Sequence, residues 1–332
     1  MALWTPAEIT TALWLDAADA DTITLNGSNV SQWDDKSGND RHATQGGSTA
    51  QPGYSMASWE ETKPALSFDG SNDTLICSGY KSVDTSQPHT YIAVIKSNTL
   101  SVMPFVIAQL YDGGSGVSRE SALFGVSSSF SMTNSFAFGP RPSGLNNQAR
   151  IAHSTDASVL IGVATIGNNA LWRNGDINDS RATTLINNNT DDLRIGSRSG
   201  GGETFSGLIV EVIMLDFAAD TDTRQKIEGY LAWKWGLAAS LPAEHPYKDA
   251  APIILIPRLF GTIADKDGNP AERRISVLDA TGQCVATDTS DPVTGAYSID
   301  MPNDDPYTLV FDGEPDRNAQ VFANVIPGEP PA

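Results

Sequence analysis

RQKIEGYLAWKWGLAASLPAEHPYK, residues 224–248, stands apart from the Gly-, Ser-, Asn- and Thr-rich sequence around it. Ile227, Tyr230, Leu231, Trp235 and Leu237 recur at helical spacing and form one broad apolar face. Upstream, Asp220 or Asp222 can cap the free N–H groups of a first turn, where acid is favourable. Downstream, Gly236 stands where a left-handed stop belongs, and Pro242 and Pro246 forbid continuation. The spacing predicts one helix that serves packing and closes an edge or end of a β structure. Lys234 falls inside the apolar stripe, so it either carries its ammonium out to water or pairs with a carboxylate.

Outward from that helix the chain reads as strands. TYIAVIKS (90–97), VLIGVATI (159–166), NALWRNG (169–175), LRIGSRS (193–199) and SGLIVEVIMLD (206–216) are short apolar or alternating runs. Turn dipeptides separate such runs: Asn26-Gly27, Asp69-Gly70, Asp112-Gly113 and Asn174-Gly175. Many strands and one helix over about 250 residues predict a large antiparallel sandwich of the jelly-roll kind. This first domain is expected over residues 1–250. Pro252 and Pro257 bracket IILI in a stiff linker, 251–257. RLFGTIAD, RRISVLDA, QCVATDTS, GAYSIDM and PYTLVFDG then supply five strands of a small immunoglobulin-like sandwich, 258–327, before a loose Pro-rich tail, 328–332. The fold class is all-β.

Composition narrows the partners. Among 332 residues, 21 are basic and 40 acidic, a formal charge of -19. Such a surface repels phosphate backbones and anionic membranes, so nucleic acid and membrane insertion are not expected. MALWTPAEIT has neither a basic n-region nor an apolar h-region, so no signal peptide is expected. Cys77 and Cys284 are far apart and are expected to be unbridged and buried. His42, His89, His153 and His245 have no spacing that suggests catalysis or zinc, and read as structural.

Four stretches together carry a resemblance: ALWLDAADADTITLNGSNVSQWDDKSGNDRHATQ, ALSFDGSNDTL, FSGLIVEVIMLD and the aromatic helix with its LP-x-x-HPY tail. Over roughly residues 3–248 they resemble the concanavalin A-like or laminin G-like lectin/glucanase modules found in bacteriophage structural proteins and bacterial surface proteins. FGTIADKDGNPAERRISVLD, GAYSIDMP and YTLVFDG resemble the carboxypeptidase regulatory-like or transthyretin-like sandwiches. The pairing implies a tailed-phage virion protein, a tail or tail-fibre component. Its partners would be other virion proteins and host cell-surface polysaccharide or protein, and the usual fibre arrangement would be a homo-trimer.

Laminin G-like modules often hold calcium in acidic loops. By that resemblance, Asp69, Asn72 and Asp73 in FDGSNDTL, and Asp34 and Asp35 in QWDDKSGN, are the metal candidates. The same loops also fit Asx-capped turns joining strands. Sugar recognition by such sandwiches uses an aromatic platform beside polar groups. Tyr54, Trp59, Tyr111 and Arg141 lie in loop-like stretches and are the ligand candidates, with buried packing as the competing reading. Trp4, Trp14, Trp33, Trp172, Trp233 and Trp235 lie in strand or helix patterns and read as core.

The glucanase branch of the fold needs E-x-D-x-x-E; the nearest run, Glu314-Pro315-Asp316, falls in the second domain. G-x-S-x-G, H-E-x-x-H, the P-loop and G-x-G-x-x-G are absent from the sequence as well. No catalytic residue is assigned. The expected function is therefore non-enzymatic host contact, with a purely structural head- or tail-decoration role as the alternative.

Overall fold

The computed structural model describes residues 2–82, 86–98, 104–112, 118–126, 134–140, 148–185, 192–198, 203–254, 258–265, 267–302, 305–313 and 320–327. The chain forms two compact units, Trp4–Pro252 and Met1–Leu3 with Ile253–Ala332.

The larger unit is an all-β antiparallel sandwich carrying one α-helix. Its hub is the strand Ser206–Leu215. One edge of this strand pairs with His89–Ser97, and the other with Lys63–Asp69 and then Leu13–Asp16. Ser158–Thr165, Asn168–Arg173 and Asp176–Ala182 extend this layer beyond His89–Ser97, and Gly53–Trp59 extends it beyond Lys63–Asp69. The second layer runs from Ile23–Asn26 and Asn29–Trp33 through Ala43–Thr44, Leu75–Cys77, Leu193–Ile195 and Phe105–Asp112. It ends with Ser118–Val126, Ser135–Pro140 and Ala149–Ala152. Among the described strands one pairing, Asn29 with Gly53, joins the layers at one margin.

The layers meet through large side chains. Phe138 packs edge-on against Tyr91 at 5.6 Å, and both are buried. Gly162 faces the same ring, where an added Cβ would lie 2.2 Å from it. Only glycine lets the strand approach so closely.

Helix α1, Thr221–Trp235, closes the sandwich by covering the outer face of the central strands. That is why SGLIVEVIMLD is a near-continuous apolar run: its strand is buried on both sides. Asp220 caps the helix by accepting from the Thr223 N–H at 2.8 Å, and Gly236 ends it at φ 78°. The tail folds back along the helix. An added Cβ on Gly229 would lie 2.6 Å from Tyr247, and Lys248 donates to the carbonyls of Ala238, Ala239 and Leu241.

In the smaller unit a two-stranded sheet, Arg258–Thr262 with Ala296–Asp300, packs with a four-stranded one. The order of the latter is Cys284–Thr289, Arg274–Leu278, Tyr307–Phe311 and Gln320–Val325. Leu259, Ile275, Val277, Ile299, Met301, Tyr307, Leu309 and Phe311 form its core. Gln320–Val325 is a strand beyond the five expected. Its alternation is interrupted by a bulge opposite Tyr307–Leu309, which hides the period from sequence.

Two boundaries move. Ala2–Leu3 pairs with Ile253–Ile254, so the first residues group with the smaller unit and part of the expected linker is a strand. Cys77 and Cys284 are both free, but Cys284 is exposed rather than buried, because it stands on an outer strand of its sheet. Burial pushes the Cys77 thiol well above its usual range, so it stays protonated.

A chain ending at Pro252 keeps every strand of the large sandwich, since Trp4 N–H still donates to the Pro252 carbonyl. It should unfold in one cooperative step within a few degrees of the large-domain transition in the full chain, measured by calorimetry; aggregation on expression would refute the boundary.

Candidate functional site

A cluster of ionisable side chains lies beneath helix α1. Asp16 and Glu211 stand directly opposite one another on neighbouring strands, an arrangement that like charges alone would make unfavourable. Lys234 resolves it, with Nζ 2.6 Å from Asp16 Oδ1 and 2.8 Å from Glu211 Oε2. The residue that breaks the apolar stripe of the helix is thus the one that neutralises two strands. A register shift between Ile209 and Glu211, against His89–Ser97, lies at the point where Glu211 turns to the helix.

Glu211 is fully enclosed. Oε1 accepts from Trp14 Nε1 at 2.8 Å and from the Tyr230 hydroxyl at 3.1 Å. Oε2 accepts from Trp235 Nε1 at 2.6 Å and from Lys234. A carboxylate offers about four lone-pair sites, and here four protein donors use them. Burial raises the Glu211 pKa and Lys234 opposes the rise.

The open rim of the cluster is Asp19, Lys36 and Tyr54. Lys36 reaches Asp16 at 3.0 Å and Asp19 at 2.8 Å, and its ammonium lies 4.6 Å above the Trp14 ring. Burial disfavours that ammonium, but its bonds to Asp19 and Asp16 outweigh burial and hold its pKa up. The hydrogen bond from Lys36 in turn lowers the Asp19 pKa. Burial, followed by Asp16 and Asp19, raises the Tyr54 pKa. At the helix C-terminus Lys63 donates to the Lys234 carbonyl at 2.5 Å, complementing the dipole.

A second buried set anchors the tail. Arg224 Nη1 lies 2.6 Å from Glu228, His245 Nε2 lies 3.0 Å from the same carboxylate, and the Arg224 guanidinium sits 4.8 Å over the Trp172 ring. His245, expected to be structural, is the residue by which the LP-x-x-HPY tail is tied to the helix.

The sequence-predicted sites are used differently. Trp59 is no platform: it is fully buried, donates from Nε1 to the Trp235 carbonyl at 3.0 Å and meets the Trp235 ring edge-on at 5.9 Å. Tyr54 lies on a strand and not in a loop, half-buried, with its hydroxyl donating to the Ala17 carbonyl at 3.0 Å. Tyr111 belongs to the strand Phe105–Asp112, its side chain outside the described residues, and Arg141 lies outside them altogether. Of the tryptophans read as core, Trp233 is instead exposed, its Nε1 donating to the Tyr247 carbonyl, and Trp172 is half-buried.

The acidic loops are capped turns. Asp35 accepts from Trp14 N, Ser37 N, the Ser37 hydroxyl and Arg41 N at 2.7–3.1 Å. Asp34 accepts from Gln32 Nε2. Asp69 accepts from the backbone of Ser71 and Asn72, and Asp73 from the backbone of Asp69. In this arrangement Asp35, Asp69 and Asp73 hold backbone N–H groups, Asp34 holds a side-chain amide, and Asn72 is itself held through its backbone N–H. No three His, Cys, Asp or Glu side chains converge as a metal-holding group among the described residues.

No protein-family model matches the sequence, and neither does any curated protein. Solved structures with similar architecture include the Trypanosoma rangeli sialidase in complex with sialic acid. It is 11% identical with a TM-score of 0.48, over 70% of this chain and 34% of that one. Domain 4 of AbnA, a GH43 extracellular arabinanase from Geobacillus stearothermophilus in complex with arabinotriose, is 15% identical with a TM-score of 0.46, over 64% and 96%. The Ruminococcus gnavus IT-sialidase CBM40 bound to α2,3-sialyllactose is 12% identical with a TM-score of 0.33, over 43% and 83%. The chain spans about a third of the length of the sialidase. At these values no activity passes from those proteins to this one.

Two outcomes follow from this geometry. Glu211→Ala leaves two indoles and a phenol without their acceptor and Lys234 with one of its two carboxylates, and should cost about 3–5 kcal/mol in urea unfolding; a loss below about 1 kcal/mol would show that the cluster does not hold the helix. Asp73 is buried, which raises its pKa to about 6. Its protonated form is therefore favoured on folding, so its contribution is full below about pH 4 and is lost as pH rises through 6. Asp73→Asn, which copies the protonated state, should match the parent melting temperature at pH 4 and exceed it at pH 7.

Proposed function

We propose that this chain is a non-enzymatic bacteriophage virion protein, a tail or tail-fibre component. In this reading its large sandwich contacts host-surface glycan or protein, and its small sandwich joins it to neighbouring particle proteins. The observation that carries the reading is the saturation of Glu211. The carboxylate at the centre of the ionisable cluster spends its lone pairs on Trp14, Tyr230, Trp235 and Lys234, so Glu211 fastens a helix and keeps no lone pair for a substrate. The same helix and tail carry the resemblance to lectin-like modules of phage proteins.

One observation favours the purely structural decoration role. Trp59 and the Tyr54 hydroxyl, half of the ligand platform read from sequence, are used internally. Host contact then rests on other surfaces of the large sandwich.

Neutral polar contacts are weak singly and gain from repetition, as on a multi-copy particle. Purified protein should bind host cells feebly as a monomer, strongly when clustered on beads, and at a level that survives moderate salt. Glycan-stripped cells separate a sugar ligand from a protein one. Clustered protein that binds neither kind of cell, with antibody label on the capsid or tail shaft, would establish the decoration role instead; release of sugar from polysaccharide by the purified chain would refute the non-enzymatic reading.

A further inference from the structure

The smaller unit carries a disproportionate share of exposed apolar side chains. Among the described residues, twelve large hydrophobic side chains are exposed. Seven of them, Leu3, Ile253, Phe260, Val285, Val293, Phe322 and Ile326, belong to this unit, which is about a quarter of the chain. Singly, such residues need no explanation. Phe322 differs, because its register makes it a core residue. It pairs with Leu309, and residues directly opposite on antiparallel strands share a face. Leu309 is 2% exposed and Phe322 is 52% exposed.

The sandwich is therefore open along this seam. A cavity of about 290 Å³ opens there, lined by Thr262, Tyr297, Leu309, Phe311, Phe322 and Val325. Three of these rings form an edge-to-face series, Tyr297 to Phe311 at 5.7 Å and Phe311 to Phe322 at 5.5 Å. The volume suits one or two large apolar side chains. Among the described strands Gln320–Val325 pairs on one side only, so its other edge can take an added strand.

Charge selects the occupant. Residues 258–332 hold five basic and thirteen acidic side chains, a net charge of -8. Asp265 and Asp312 directly follow the lining residues Ala264 and Phe311. A second copy would bring a like charge of -8 against this rim, which disfavours self-association. We propose that the seam is a docking site for an extended segment of another protein, one that alternates apolar side chains for the cavity with lysine or arginine for the acidic rim. The proposal deepens the reading of the small sandwich as the attaching module, and rests on that reading only for the partner being a particle protein.

The test uses the full chain, isotope-labelled, with two probes: a short alternating Lys/Phe peptide and its Glu/Phe counterpart. The Lys/Phe peptide should shift the amide resonances of Thr262, Tyr297 and Val325 and lose affinity as salt rises, while the Glu/Phe peptide should not bind. Phe322→Ser, at a half-exposed position, should weaken binding about tenfold or more. Should that variant fold poorly, Asp312→Lys at an exposed position keeps the test alive: it should weaken the Lys/Phe peptide and admit the Glu/Phe one. Equal binding of both peptides, binding of neither, or shifts confined to other residues would overturn the proposal. So would concentration-dependent self-association that Phe322→Ser abolishes. A chain that binds the Lys/Phe peptide yet never labels phage particles sinks the virion reading and leaves the seam; a labelled particle whose protein ignores the peptide does the reverse.

Discussion

One carboxylate organises the large sandwich. Glu211 sits in the middle of the hub strand Ser206–Leu215, and every donor it accepts from belongs to a different part of the chain or a different position on the helix: Trp14, Tyr230, Lys234 and Trp235. An isolated charge at that depth would be too costly to keep. Its retention requires the helix to dock in one register, with Lys234 between Glu211 and Asp16 and both indole N–H groups pointing inward. Removing Glu211 would leave both indole N–H groups buried without an acceptor, so the docking of the helix and the strand carboxylate depend on each other. Hydrophobic burial supplies the bulk of the stability; the ionic cluster selects which way the helix lies.

The same logic repeats at the other end of the helix. Glu228 is buried between Arg224 and His245, which fastens the tail after Gly236 along the helix it has just left. Gly229 is needed because Tyr247 lies where a side chain would stand. Helix and tail are thus a single packed element, and its polar groups are consumed in making it.

The two units treat their surfaces differently. The large sandwich encloses Trp33, Trp59 and Trp235 almost completely, whereas the small one leaves a core-facing phenylalanine half in water. A small sandwich has little core to spare, so an open seam is a stability cost that a bound partner would offset.

Much of the fold was legible in the sequence because it is written in short-range patterns. The helix, its Asp220 cap and its Gly236 stop follow from 3.6-residue spacing and backbone chemistry, and the strand runs follow from apolar alternation between turn dipeptides. Lys234 in the apolar stripe left two readings open, an ammonium carried out to water or a carboxylate partner, and the structure has the second, with Asp16 and Glu211. Their pairing was not readable, since Asp16 and Glu211 are distant in sequence and only strand register sets them opposite each other. The ligand candidates failed for a related reason. Tyr54 and Trp59 lie in Gly- and Ser-rich surroundings that resemble loop, yet cross-strand pairing with Lys63–Asp69 makes them strand and turns Trp59 under the helix. Composition and local period determine which segments become strand or helix and that the whole is all-β. Which side chains face water, which carboxylates are already satisfied and where a core stays open are decided by contacts between segments far apart in the chain, and these exist only once the layers have closed.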